Sequence, residues 1–351
     1  MNALDWIVRI FIFVTGAVIG SFLNVCIVRL PRNQSIVKPR SHCVVCKKTI
    51  AWFDNIPLLS FLVLRGKCRN CGASISVRYF IVELLTASGF LLFYEWFGLE
   101  PVLLPYLVML CGFIITTFVD LEHRIIPDEV SVGGLWVGLV FSALIPALHE
   151  APADSASLST GTVVMFMLVV VCLAMQALTA VLHKFGHRIA HEEDDADAQD
   201  ENNLGFYILI AVSVAAVFLI NVLGAKWTGP SAQNLMTHLR SLENGLIGFI
   251  IGGGCIYAMG MLGDIIFRKE SMGGGDIKLM AMIGAFLGWK LVILSFFIAP
   301  LFGALAGIVV KLKTRESVIA YGPFIVMGAL ISLFWGYRLI DWILSGYGFR
   351  Y

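Results

Sequence analysis

WIVRIFIFVTGAVIGSFLNVCIV, residues 6–28, is apolar over more than the roughly 20 residues a helix needs to cross hydrocarbon. No basic segment precedes it and no small-residue cleavage site occurs before Arg29, so it reads as a membrane anchor and not a removable leader. Similar runs recur at 79–97, 102–120, 130–148, 162–183, 204–224, 244–263, 290–310 and 318–337. A shorter run, 277–288, directly follows a glycine cluster. Half-length segments are tolerated at membrane depth where protein or trapped water satisfies their backbone groups, and this one is read as a short tenth helix. With 58% hydrophobic and 14% charged residues in 351, and a mean hydropathy of +0.86, the composition excludes an ordinary soluble domain. The expected fold class is an all-α polytopic membrane protein of about ten helices with a small zinc-binding module.

Charge sets the expected orientation. Between Arg29 and Arg78 lie ten basic residues (Arg29, Arg32, Lys38, Arg40, Lys47, Lys48, Arg65, Lys67, Arg69, Arg78) against one acid, Asp54. The positive-inside rule places this loop in the cytoplasm and the N-terminus outside. Counting helices onward keeps Arg124, Lys184, Arg188, Arg268, Lys269, Lys311, Lys313 and Arg315 inside as well. The expected parts are the first helix, 1–28; the loop module, 29–78; helices 79–148; a helix pair with an acidic loop, 149–243; and a last helical group, 244–351. The net charge of +1 conceals this asymmetry, and no nucleic-acid partner is expected. Lipid surrounds the rest.

The basic loop carries Cys43-x2-Cys46 and Cys68-x2-Cys71, 21 residues apart. Two such knuckles supply four thiolates for a tetrahedral Zn²⁺, and the reducing cytoplasm argues against two disulfides. A closed four-cysteine site leaves no position for water or substrate, so its expected role is to fold the module. Cys26, Cys111, Cys172 and Cys255 stand singly in apolar segments and read as packing residues.

Carboxylates at membrane depth are expensive and mark function. Asp120 ends the third span in FVDLEHRIIPD, where the helix dipole disfavours a negative charge, so capping does not explain it. Asp276 opens the short helix in MGGGDIKLMAMIGAFLG. Gly273 and its neighbours through Gly275 leave the backbone free to take unusual dihedrals and let a substrate chain approach. Two carboxyls sharing one site do not both ionise easily, so one keeps its proton while the other activates a water. Asp128 follows Pro127 and reads as a helix cap or a support for the site; Asp264 reads as a helix-end carboxylate near Arg268.

Taken together, these stretches resemble the type IV prepilin peptidases, a family of GxGD-type membrane aspartyl proteases. GSFLNVCIVRLP (20–31) is similar to the family's opening signature, and the cysteine-bearing loop through Glu83 to its zinc region. DLEHRIIPD and GGGDIKLMAMIGAFLGW match its two aspartate motifs, and YGPFIVMGALI its late Gly-Pro segment. The resemblance implies that Asp120 and Asp276 are catalytic; Asp128, Gly273 and Gly275 are grouped with them as supporting residues, and Lys278 matches the motif with its role open. It implies prepilin or pseudopilin precursors as substrates, cut after the Gly that ends a short basic leader, at the cytoplasmic face of the inner membrane. It also implies methylation of the new N-terminus with S-adenosylmethionine. No G-x-G-x-x-G after a strand appears, so residues for that cofactor are not assigned.

The family usually has about eight helices, so 149–243 reads as an insertion that preserves the sidedness of the later helices. Its acidic run, Glu192 to Glu201, reads as a solvated linker, with attraction of basic leaders as the alternative. His183, His187 and His191 fall on one helix face, where positive charge at a helix end competes with a metal site as the explanation. Two other functions compete with the protease. A transporter would need paired broken helices, and only one interruption is found. A zinc-stabilised assembly factor would leave both aspartates unexplained.

Overall fold

The computed structural model describes residues 3–38, 40–149, 212–218, 220, 230–268, 272–314 and 320–346. They are mostly helical: α1 (Ala3–Arg29), α2 (Leu59–Val63), α3 (Val77–Phe97), α4 (Leu103–His123), α5 (Asp128–Leu144), α6 (Pro230–Phe267), α7 (Gly274–Thr314) and α8 (Gly322–Gly346). Two compact units result, Met1–Val130 and Ser131–Tyr351.

Among the described residues, six helices are long and apolar enough to cross a membrane: Leu4–Arg32, Val77–Phe97, Leu103–His123, Leu235–Ile266, Gly274–Ile308 and Gly322–Ser345. The expected count of about ten also included α5, which has 17 residues and gives way to a 3-10 turn at Pro146–Leu148. It further counted α7 as two helices, and α7 does contain a break at Gly288 (φ 74°, ψ 175°), a conformation natural to glycine. The expected span 162–183 and the three histidines lie outside the described residues; 204–224 is described only at 212–218 and 220, where it is helical.

In the first unit α1 packs on α3 through small residues. A Cβ on Gly16 would lie 2.8 Å from the Ala87 Cα, and one on Gly20 would lie 2.8 Å from the Glu83 Cα. Glycine at this spacing lets two helix backbones touch, which in lipid replaces the missing hydrophobic drive with van der Waals contact. Asn24 seals the pair by donating from Nδ2 to the Tyr79 carbonyl (3.0 Å). Arg78 and Glu122 then tie the start of α3 to the end of α4 in an ion pair.

The second unit uses the same device more severely. A Cβ on Gly248 of α6 would collide with the Gly284 carbonyl of α7, and one on Gly284 with the Gly248 carbonyl. Gly252 stands against Met280 in the same way, so the first limb of α7, 274–287, lies antiparallel against α6. α5 closes on this limb from its own side, with Gly134 beside Met282 and Gly138 beside Phe286. At the end of α5 the Ser142 hydroxyl donates to the Gly138 carbonyl (2.8 Å) and lies 3.0 Å from the Ala285 oxygen, so it accepts from His149 Nε2 at 2.9 Å. His149 is buried, and burial pushes it down to about 4, so it is neutral. Residues at both edges of the expected insertion are therefore built into the helical unit: His149 packs beside Gly288, and α6 starts at Pro230, ahead of the expected 244.

Gly284→Val should cost about 3 kcal/mol or prevent stable insertion, because the added atoms meet backbone that does not move aside. Gly133→Ala, with nothing within 4 Å, should be neutral. Thermal denaturation of the detergent-purified variants checks both, and equal melting temperatures would count against the close contact.

Candidate active site and metal centre

In the loop between α1 and α3, two short hairpins carry the cysteines. A bridge between His42 and Thr49 frames the first and one between Lys67 and Ser74 the second. Cys43 accepts the Lys47 N–H at its carbonyl (2.9 Å), and Cys68 accepts the Gly72 N–H at its own (2.9 Å), so each C-x2-C folds into the same tight turn. Lys47 and Gly72 hold the left-handed conformation those turns need (φ 59° and 68°).

The four sulphurs of Cys43, Cys46, Cys68 and Cys71 lie within 4.8 Å of one another. Cys43 Sγ stands 3.8 Å from Cys71 Sγ, which matches the edge of about 3.8 Å for a tetrahedron with metal–sulphur bonds of about 2.3 Å. The backbone N–H groups of Cys46 and then Val45 point at Cys43 and lower its thiol to about 6, whereas Cys71, despite the Ala73 N–H, is pushed up to about 11 by burial and by the neighbouring thiols. The donor set therefore fits a thiophilic ion bound in a closed site.

Of the two aspartates, Asp120 belongs to the first unit and Asp276 to the second. Asp120 lies in the last turn of α4 and is only 5% exposed. Its carbonyl accepts the Arg124 N–H (2.8 Å), and Arg124 ends the helix in the left-handed conformation. Asp276 opens α7, where peptide dipoles stabilise negative charge, and its N–H bonds to the Gly273 carbonyl (3.1 Å). The expected unusual dihedrals do not occur: Gly273 to Gly275 are absent from the positive-φ residues. The run supplies room instead. A Cβ on Gly274 would meet nothing within 4 Å, and one on Gly273 would meet only the Asp276 carboxylate, at 3.8 Å. Lys278 is half-buried one turn into α7, and Asp128 is exposed at the start of α5.

Sequence reasoning overlooked the side chain of Tyr321, although it lies in the Gly-Pro stretch. Tyr321 precedes α8, and a Cβ on Gly303 of α7 would sit 3.2 Å from its ring. Asp276 is near enough for its charge to act on the Tyr321 hydroxyl.

Comparison with known proteins gives two family matches. A model described as Bacterial Peptidase A24 N-terminal domain matches residues 14–97, and one described as Type IV leader peptidase family matches 107–186 and 201–308. The chain is 30% identical over 308 residues to a prepilin leader peptidase/N-methyltransferase of Myxococcus xanthus, covering 88% of this chain and 64% of that relative. It is 27% identical to one of Legionella pneumophila, over 97% of this chain and 96% of the relative. One of Pseudomonas aeruginosa is 25% identical over 95% and 93%. No solved structure matches. Within the region read as an inserted helix pair, 149–243, the family match covers 149–186 and 201–243.

The sulphur cluster should hold one metal ion per chain after purification in reducing buffer without chelator. Elemental analysis should find it in the wild type and find it lost from Cys46→Ser or Cys71→Ser, with protease sensitivity rising between Arg29 and Arg78. Metal-free wild type with intact thiols would refute the site.

Proposed function

The chain belongs to the type IV leader peptidase family, and from that membership we propose that Asp120 and Asp276 form its catalytic pair. It is a membrane-embedded leader peptidase with N-methyltransferase activity. Its substrates are prepilin or pseudopilin precursors, cut after the glycine ending a basic leader. The loop module and both aspartates face the cytoplasm, as the ten basic residues of 29–78 favour.

The observation that carries the reading is the burial of Asp120 at the end of a membrane helix. A carboxyl kept there at such expense needs a task, and the helix-start position of Asp276 supplies its complement. Asp276, favoured as the anion by the dipole of α7, takes a proton from water as the water attacks the scissile carbonyl. Asp120 holds the other proton and delivers it to the departing amine. The open backbone at Gly273 and Gly274 leaves space for an extended substrate strand beside the carboxylate. Tyr321, whose hydroxyl feels the charge of Asp276, is the residue assigned to orient that carboxylate.

The metal is zinc, which closes the module and offers no Lewis acid to the substrate. S-adenosylmethionine is the methyl donor. Among the described residues no strand–turn–helix cradle for it is present, so no binding residues are assigned.

With purified protein and a prepilin-like peptide, Asp120→Asn or Asp276→Asn should each lower cleavage by about 10³-fold or more, nearly as much as the double variant. Retention of substantial cleavage by either would refute the pair. Tyr321→Phe should lower kcat about tenfold, or about 1.4 kcal/mol, with little change in KM. Cys71→Ser should lose methylation before cleavage in paired assays on one precursor; the reverse order would give zinc a part in hydrolysis.

A further inference from the structure

The loop 29–78 contains one stretch unlike the rest. From Ile56 to Leu64 it reads IPLLSFLVL, with no charge between Asp54 and Arg65. α2 lies within it, and Leu59, Leu62 and Val63 are 54%, 62% and 66% exposed. Trp52, just before it, is 80% exposed. A soluble module would hardly leave such a surface in water.

Depth resolves the matter. The Leu58 N–H donates to the carboxylate of Glu83 at 2.8 Å, and the Phe61 ring lies 5.4 Å from that of Phe80. Glu83 is not at the mouth of its helix. α3 begins at Val77, so Glu83 lies about 9 Å along it at 1.5 Å per residue. α1 gives an independent measure, because Gly20 is the residue that touches the Glu83 backbone and α1 continues to Arg29, about 13 Å further. Both helices that cross the membrane thus extend well past the level at which Leu58 is pinned.

We infer that residues 56–64 form a lipid-embedded hook: α2 dips into the leaflet beside the module, its Leu59, Leu62 and Val63 contacting phospholipid acyl chains, and holds the cysteine cluster against the headgroups. Two features that are otherwise odd then explain each other. Leu58 has a left-handed φ of 62°, costly for a leucine, and its N–H would have no water to bond in the leaflet. Glu83 is a carboxylate only 8% exposed in a membrane helix, and that N–H is its partner. The surrounding charge names the lipid. Lys47, Lys48, Arg65 and Lys67 flank the hook with Trp52 at its edge, the arrangement of basic and aromatic residues that settles at an anionic headgroup layer. Arg69, paired with Asp54 through Nη2–Oδ1 (2.7 Å) and Nε–Oδ2 (2.8 Å), braces the chain where it leaves.

The test uses the full-length protein in nanodiscs of phosphatidylethanolamine and phosphatidylglycerol, with a diazirine analogue of leucine at position 62. Irradiation followed by mass spectrometry should give mainly phospholipid adducts, in yield within about twofold of the same probe at Val18, a 55% exposed position of α1. Predominance of water-derived products, or of adducts to a co-reconstituted precursor, would overturn the hook. A second arm compares Leu62→Asp with Leu62→Ile in the same discs. The acidic variant should keep its metal while proteolysis within 29–78 speeds up about tenfold, and the isoleucine variant should match wild type. Equal proteolysis of all three would also refute the inference.

Discussion

Contact between helix backbones at glycine organises both units. In lipid the tails are as apolar as the side chains, so helices gain little by hiding leucine and much by bringing main chains within van der Waals distance. Gly248 and Gly284 do this so closely that neither position has room for a Cβ, and Gly16 and Gly20 do it for α1 and α3. From the first contact follows the placement of the short limb of α7, and so of Asp276 at its head. From the second follows the level at which α3 presents Glu83. The chemistry rests on side chains that are absent.

Several polar groups inside the two units are paired in one of two ways. Ser142, Thr86 and Ser295 each return a hydroxyl to the carbonyl one turn back, at 2.8, 2.7 and 2.7 Å. Asn24 and His149 reach across to neighbouring segments instead, and Glu83 reaches a loop. Those that cross between elements fix positions that apolar packing alone would leave free to slide. The carboxylate of Asp120 is likewise buried, at the end of α4.

Hydropathy made the main spans legible because each apolar residue adds independently to a local run. The cysteine knuckles were legible because a tight turn brings together residues that are already neighbours. Both aspartates stood out by their positions at helix ends. The features that stayed hidden depended on distant partners. Nothing local in the sequence says that the turn at Gly288 is held beside His149, that α6 begins at Pro230, or that Tyr321 comes within range of the charge of Asp276. Hydropathy likewise reveals helices but not which of them relatives share. Gly273 to Gly275 illustrate a subtler limit, since glycine allows both strained turns and open space, and only coordinates tell which is used.

The break at Gly288 carries a consequence for the membrane itself. The limb of α7 from 274 to 287 is about 21 Å long, while the hydrocarbon core of a bilayer is about 30 Å thick. A limb so short, if it begins the span, is mismatched to the bilayer, and such a mismatch is relieved by local thinning or by water drawn toward the helix head. On the catalytic assignment proposed for Asp276, a precursor anchored by its own hydrophobic helix would then meet the carboxylate without being lifted out of the lipid, because the aqueous boundary would lie at the bond.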